Sequence, residues 1–115
     1  MGDYRTLLAY KKAFELAMQI FEISKRFPRE EKFGLIAQIR NSSRSVCANI
    51  AEAYKRKRYK DYYISKLNDS ETEVWLNFAL ACGYIEVSLY QELKSKNDEV
   101  GKLIWYMIHN PHKFL

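Results

Sequence analysis

Residues 36–60 read IAQIRNSSRSVCANIAEAYKRKRYK. Within this stretch Ile36, Ile39, Ser43, Val46, Ile50 and Tyr54 recur at spacings of three and four, the period that lays side chains along one face of an α-helix. Glu30 and Glu31 precede the stripe and Lys55 and Arg56 follow it, a charge order that complements the helix dipole. The spacing predicts a helix over residues 30–56, ending in a corner where five of the six residues 55–60 are basic.

Upstream, Ala13, Leu16, Ile20, Ile23 and Phe27 form a second helical stripe over residues 7–26, with Phe14, Ala17 and Phe21 as an adjacent apolar row. Pro28 ends it, because the proline ring disfavours helical geometry in the residue before it. Downstream, Leu67, Ser70, Val74, Phe78 and Ala81 predict a third helix over residues 61–82, closed by Gly83 as its C-terminal glycine. A fourth opens at Ser88 with the Ser-x-x-Gln form of a capping box, Ser88 to Gln91. It continues through Leu93, Val100, Ile104 and Met107 to Asn110-Pro111. Four helices joined by short connections predict an all-α, antiparallel up-down-up-down four-helix bundle.

The chain has 115 residues, the size of one ordinary domain, with two prolines, four glycines and no linker-like stretch or internal repeat. Residues 1–115 are therefore expected to form a single domain. Cys47 and Cys82 lie beside Ala48 and Ala81 inside helical patterns, which points to small buried packing rather than a disulfide or a metal site. No secretory signal pattern appears and charge interrupts every apolar run, so a cytoplasmic protein without a membrane partner is expected.

Nine Tyr, six Phe and two Trp make the chain rich in aromatics. Apolar residues cover two faces over residues 7–23 and all faces over residues 103–108, more than one core-facing stripe requires. That excess predicts burial against further copies of the chain. Tyrosine and tryptophan edging the core with their polar tips in water account for part of it.

The net charge of +5 comes from 19 basic and 14 acidic residues, so its distribution matters more than its total. In an up-down-up-down bundle the corner between the second and third helices shares an end with both termini. Arg5, Lys11, Lys12, His112 and Lys113 are thus expected near Lys55, Arg56, Lys57, Arg58 and Lys60. Such an end suits a phosphate backbone, and Tyr59, Tyr62 and Tyr63 interleave with it as stacking surfaces for unpaired bases. The alternative is a solvated helix end whose basic residues only complement the dipole.

Arg40 and Arg44, four residues apart on one face, are expected to pair with acids of a neighbouring helix such as Glu71 or Glu73, the alternative being that they extend the basic surface. Asn49 and Glu52, beside the Ile50 stripe, are candidates for interhelical hydrogen bonds. Catalysis finds little support. There is no Glu-x-x-His pair for a di-iron centre, the two histidines, His109 and His112, flank Asn110-Pro111, and Ser42, Ser43 and Ser45 lack a nucleophile elbow. No catalytic residue, metal ligand or cofactor is assigned.

Phe27-Pro28-x-x-Glu31, Gly34-Leu35-x-x-Gln38-x-Arg40, Ser45 and Asn49-Ile50-Ala51-Glu52-Ala53 with its basic tail resemble the four-helix-bundle protein family, also called the 23S rRNA intervening-sequence proteins. The likeness spans nearly the whole chain. Ala53 stands where the family usually has glycine, and Tyr10 where many relatives carry tryptophan. The resemblance implies a structural role for Gln38, Arg40, Asn49 and Glu52, a ring-like homopentamer, no enzymatic activity and a nucleic-acid-binding role. It also implies a relation to the pentameric accessory proteins of diversity-generating retroelements. Repeated around such a ring, the basic corner would form a charged rim for RNA or DNA. A protein adaptor, or an accessory subunit of a nucleic-acid-processing enzyme, is the first competing class, and an enzyme with an active site assembled between subunits is the more remote one.

Overall fold

The computed structural model describes residues 3–65, 67 and 70–114. Among them helix is the regular secondary structure throughout: α1 Leu8–Ser24, α2 Leu35–Lys55, α3 Lys60–Ser65, α4 Ser70–Ala81, α5 Val87–His109 and α6 Pro111–Phe114. Short 3-10 turns occupy Tyr4–Thr6, Arg29–Glu31 and Lys57–Tyr59. The four long helices are α1, α2, α4 and α5.

Local chemistry explains most boundaries. After α1, the Phe27 amide still donates to the Ser24 carbonyl before Pro28 turns the chain. The second helix begins at Leu35 rather than at Glu30, because Arg29–Glu31 forms a 3-10 turn and Gly34 has the non-helical backbone φ −104°, ψ −113°. Glu31 instead acts from outside the helix, its Oε1 accepting the Leu35 amide at 3.2 Å and its Oε2 the Tyr84 hydroxyl at 2.9 Å. The carboxylate thus satisfies an amide that the helix leaves unpaired.

The third helical pattern is divided. α3 ends at Ser65 and α4 starts at Ser70, while Lys66, Asn68 and Asp69 lie outside the described residues. Gly83 closes α4 as expected: with φ +76° it lets its own amide reach the Leu80 carbonyl at 3.0 Å and the Tyr84 amide reach the Ala79 carbonyl at 2.9 Å. These are the two bonds of a Schellman cap. The capping box expected at Ser88 does not form, since α5 already begins at Val87 and its N-cap residue is Glu86, whose side chain makes no capping bond.

The core has two apolar halves. Ala9, Ala13, Ala17, Val46, Cys47, Ile50, Val100, Ile104 and Met107 fill one, with Leu7 and Phe114 packed against it. Leu16, Ile20, Phe27, Leu35, Ile39, Leu76, Ala79, Ile85 and Leu93 fill the other. Full burial of each large aliphatic side chain contributes about 1.5–3 kcal/mol. The buried polar residues Ser24, Ser42, Ser43, Thr72 and Asn97 accompany these two halves. Thr72 Oγ1 donates to Ser42 Oγ at 3.1 Å, and both serines return their hydroxyls to the Ile39 carbonyl, at 3.2 and 2.9 Å. Among the described residues no buried side-chain nitrogen or oxygen lacks a partner, as a settled interior requires.

The α2 stripe faces this core, with Ile39, Ser43, Val46 and Ile50 buried. The α4 stripe does not. Val74 and Phe78 are 44% and 53% exposed, and the buried side of α4 is Thr72, Leu76 and Ala79. Cys82 is likewise exposed rather than packed inside, in contrast to Cys47.

Candidate nucleic-acid interface

At one end of the molecule the N-terminal segment, the end of α2 and the end of α5 with α6 meet: Tyr4 packs edge-on against Tyr10, Lys55 Nζ stands 5.2 Å from the centre of the Tyr4 ring, and Phe114 joins the cluster holding Leu7 and Met107. The basic corner sits here because α2 carries a stripe through Tyr54 and then stops. Arg56, with φ −111° and ψ 65°, breaks the helix, and its amide donates to the Glu52 carbonyl at 2.8 Å. Lys57–Tyr59 makes one 3-10 turn and α3 departs from Lys60.

The six corner residues have different electrostatic situations. Lys55, Arg56, Lys57, Arg58 and Tyr59 are exposed and Lys60 is partly so. The Arg56 guanidinium is held by the Glu52 carboxylate one turn back, a contact that raises its already high pKa. Lys55, Lys57, Arg58 and Lys60 form no ion pair among the described residues. Instead Lys57 Nζ lies 6.0 Å from the Tyr54 ring centre, and the Arg58 guanidinium 5.7 Å from that of Tyr59, which is 55% exposed. Tyr62 and Tyr63 meet edge to face at 5.2 Å. These four cations, interleaved with aromatic rings and forming no ion pair among the described residues, remain available to an anion.

Other cations expected at this end contribute less. Arg5 is bound by Asp3 at 2.6 Å, and that hydrogen bond, helped by the nearby Lys55 charge, holds the Asp3 carboxyl down to about 2. Lys12 lies 3.6 Å from Glu99 on α5. Lys113 turns toward the Tyr106 ring, 5.9 Å from its centre.

The four residues expected in a structural motif divide in the same way. Arg40 ties helices together, but through α1 rather than through Glu71 or Glu73. Its Nε donates to Ser24 Oγ at 2.8 Å, its terminal nitrogen to the Phe21 carbonyl at 3.3 Å, and its plane lies 4.7 Å from the Phe21 ring centre. An arginine thereby satisfies a carbonyl near the C-terminal end of α1, where positive charge is favoured. Glu71 accepts from Trp75 on its own helix, and Glu73 pairs with Lys94 at 3.2 Å. Among the described residues Asn49 and Glu52 make no interhelical bond: Asn49 donates to the Ser45 carbonyl at 2.9 Å and Glu52 binds Arg56, each within α2. Gln38 is exposed and borders a groove with Glu31, Leu35, Trp75, Phe78 and Cys82.

Arg44 occupies a place that sequence reasoning assigned to ion pairing. It is exposed, has no ion pair among the described residues, and lies 5.6 Å from the Phe21 ring centre. It borders a groove of about 340 Å³ between α1 and α2, walled by Tyr4, Tyr10, Phe14 and Met18 and floored by Ala48 and Ala51. Tyr10 and Phe14 also line a second depression of about 640 Å³ with Arg5, Leu8, Lys11 and Lys12. The signal was present in the second apolar row of α1, where Phe14 exceeds what the core needs.

Among the described residues no group of His, Cys, Asp and Glu could hold a metal ion, and no helix is long and apolar enough to cross a membrane. His109 stacks on Trp105 at 4.0 Å with Nδ1 2.8 Å from the Trp105 carbonyl. Fold and surface together define an all-helical bundle protein with a basic corner in which Arg56 is paired with Glu52 and the other four cations form no ion pair among the described residues. The chain belongs to the 23S rRNA-intervening sequence protein family, whose model matches residues 5–106. A solved structure similar to it is a protein of unknown function from the S23 ribosomal protein family of Bacteroides thetaiotaomicron VPI-5482. The two are 30% identical with a TM-score of 0.76, over 89% of this chain and 96% of that one. Among curated proteins none matches.

Proposed function

We propose that this protein is a non-enzymatic, homo-oligomeric bundle that binds RNA or DNA in the cytoplasm through the corner Lys55, Arg56, Lys57, Arg58, Tyr59 and Lys60, by charge and shape rather than sequence. The observation that carries the reading is the set of four cations, exposed Lys55, Lys57 and Arg58 and half-buried Lys60, that form no ion pair among the described residues. Phosphates release counterions when such groups meet them, and this release dominates sequence-independent affinity. Membership of a family described by 23S rRNA intervening sequences supports an RNA-related role.

The long helices form an antiparallel up-down-up-down bundle, a reading supported by Tyr10 and Cys47 meeting at one end of the α1/α2 seam and Ser24 and Arg40 at the other. The bundles assemble into a ring of copies, a pentamer by resemblance. Exposed Val74, Phe78, Trp105 and Tyr106 support assembly, since a lone bundle leaves them in water. Repeating the corner around a ring multiplies weak contacts into useful avidity. The test is nucleic-acid binding across a salt series with Lys55, Lys57, Arg58 and Lys60 changed to Gln. Arg56 is left in place because it holds Glu52. Retention of full affinity by that variant contradicts the proposal, and co-purification of one defined protein instead would favour an adaptor.

A further inference from the structure

Arg44, Ala48, Ala51 and Lys55 follow one another at spacings of four, three and four along α2. The two cations therefore stand about 16 Å apart on one side of the helix. Between them the helix surface is small, and across from it rise Tyr4, Tyr10, Phe14 and Met18. The Tyr10 and Phe14 rings are stacked, 5.9 Å apart and inclined by 26°, and Phe14 is 48% exposed. Lys55 belongs to the basic corner and also touches the Tyr4 ring at the groove's end. The result is a channel with an aromatic wall, in which Tyr4 stands edge-on to Tyr10, a shallow floor of alanines, and at each end a cation that forms no ion pair among the described residues. Two acids at the Lys55 end are engaged: Asp3 by Arg5, with the Lys55 charge also acting on it, and Glu52 by Arg56.

We infer that this groove seats unpaired bases of a single-stranded nucleic acid whose backbone runs from Arg44 to the corner at Lys55. The inference rests on the corner reading above and adds the class of strand. Charge complementarity selects the occupant, because an anionic backbone meets both unpaired cations, while bases meet the aromatic wall between them. Stacking on such a wall tolerates any sequence, since every base has a π-face. A duplex keeps its bases stacked inside and offers the groove only phosphates. It would use the corner alone.

The experiment measures binding of the full chain to a labelled oligouridine strand and to an RNA duplex of equal length, across salt concentrations, with Phe14→Ser, Phe14→Tyr, Arg44→Gln and a Lys57→Gln/Arg58→Gln corner variant. Single-strand affinity is expected to exceed duplex affinity about ten-fold. Phe14→Ser should weaken single-strand binding by about ten-fold with duplex binding unchanged, and Phe14→Tyr should retain it. Arg44→Gln should reduce the magnitude of the single-strand salt slope by about one. Loss of binding in the corner variant, with Phe14→Ser and Arg44→Gln unaffected, overturns the groove and leaves the corner standing. Absence of binding by the unaltered protein overturns both. A change of oligomeric state in Phe14→Ser, with binding intact, assigns the groove to a second copy of the chain and overturns the inference.

Discussion

Burial makes Cys47 and Cys82 chemically different. The Cys47 thiol, enclosed in the core with its Sγ 3.8 Å from the Ser43 carbonyl, is pushed up to about 11 by desolvation, whereas Cys82 lies open beside Gly83. Alkylation of the native protein at mildly alkaline pH should modify one thiol rapidly, at Cys82, and the second only on unfolding. Mass spectrometry of the labelled peptides checks this, and equal labelling would contradict the packing of α2. Because the folded value is raised, both states keep the Cys47 proton below the ordinary 9.0. Its contribution to stability is lost as pH climbs from there through about 11, where the unfolded chain ionises first. At the same scale, the corner was legible because like charges were contiguous. The partners of Arg40, Asn49 and Glu52 were not, because a hydrogen bond within one helix and one between helices use the same residues at the same spacing. Arg44 escaped for a related reason: its significance lies in the absence of an acid nearby, which spacing along the chain does not reveal.

Helices were legible where one stripe was apolar and the rest polar. α2 has that form: Ile39, Ser43, Val46 and Ile50 of its stripe are buried, Ile36 and Tyr54 are half-buried, and Leu35, Ser42, Cys47 and Ala53 beside the stripe complete the buried face. In α4 the run Val74, Trp75, Leu76, Phe78, Ala79, Leu80 and Ala81 is apolar on several faces, so two registers satisfy the helical period equally. What decides between them is tertiary: Thr72 reaches the Ser42 hydroxyl, which turns Leu76 and Ala79 inward and leaves Val74 and Phe78 outside. The end of α4 was legible for a stereochemical reason. Gly83 alone among the described residues has positive φ, and the position is open, with no atom within 4 Å of where a Cβ would stand. Gly83→Ala should therefore cost about 1–2 kcal/mol through left-handed backbone strain and not through a clash. Denaturant titration would show this, with Gly83→Asn milder. A neutral Gly83→Ala would contradict the Schellman cap.

For the whole molecule, exposed Val74 and Phe78 on α4, and Trp105 and Tyr106 on α5, are what a bundle built to meet copies of itself would display. Replacing Val74 and Phe78 by Ser removes apolar surface without touching the Thr72, Leu76 and Ala79 face. Sedimentation should then show a smaller species with helix content retained, if this side joins neighbours. An unchanged assembly would move the interface to α5 or α1. The basic corner is separate from the α4 face, so neutralising it should leave folding and assembly intact.

The most direct measurement is equilibrium binding of the unaltered protein and the Lys55, Lys57, Arg58 and Lys60→Gln variant to RNA over a salt series. The account predicts that log affinity falls with log salt with a slope of about −3 or steeper for the unaltered protein, as about four neutralised phosphates require, and that the variant loses most of both the affinity and the slope. Equal affinity in the two proteins, or no binding by either at low salt, would contradict it and make the corner a solvated end of α2.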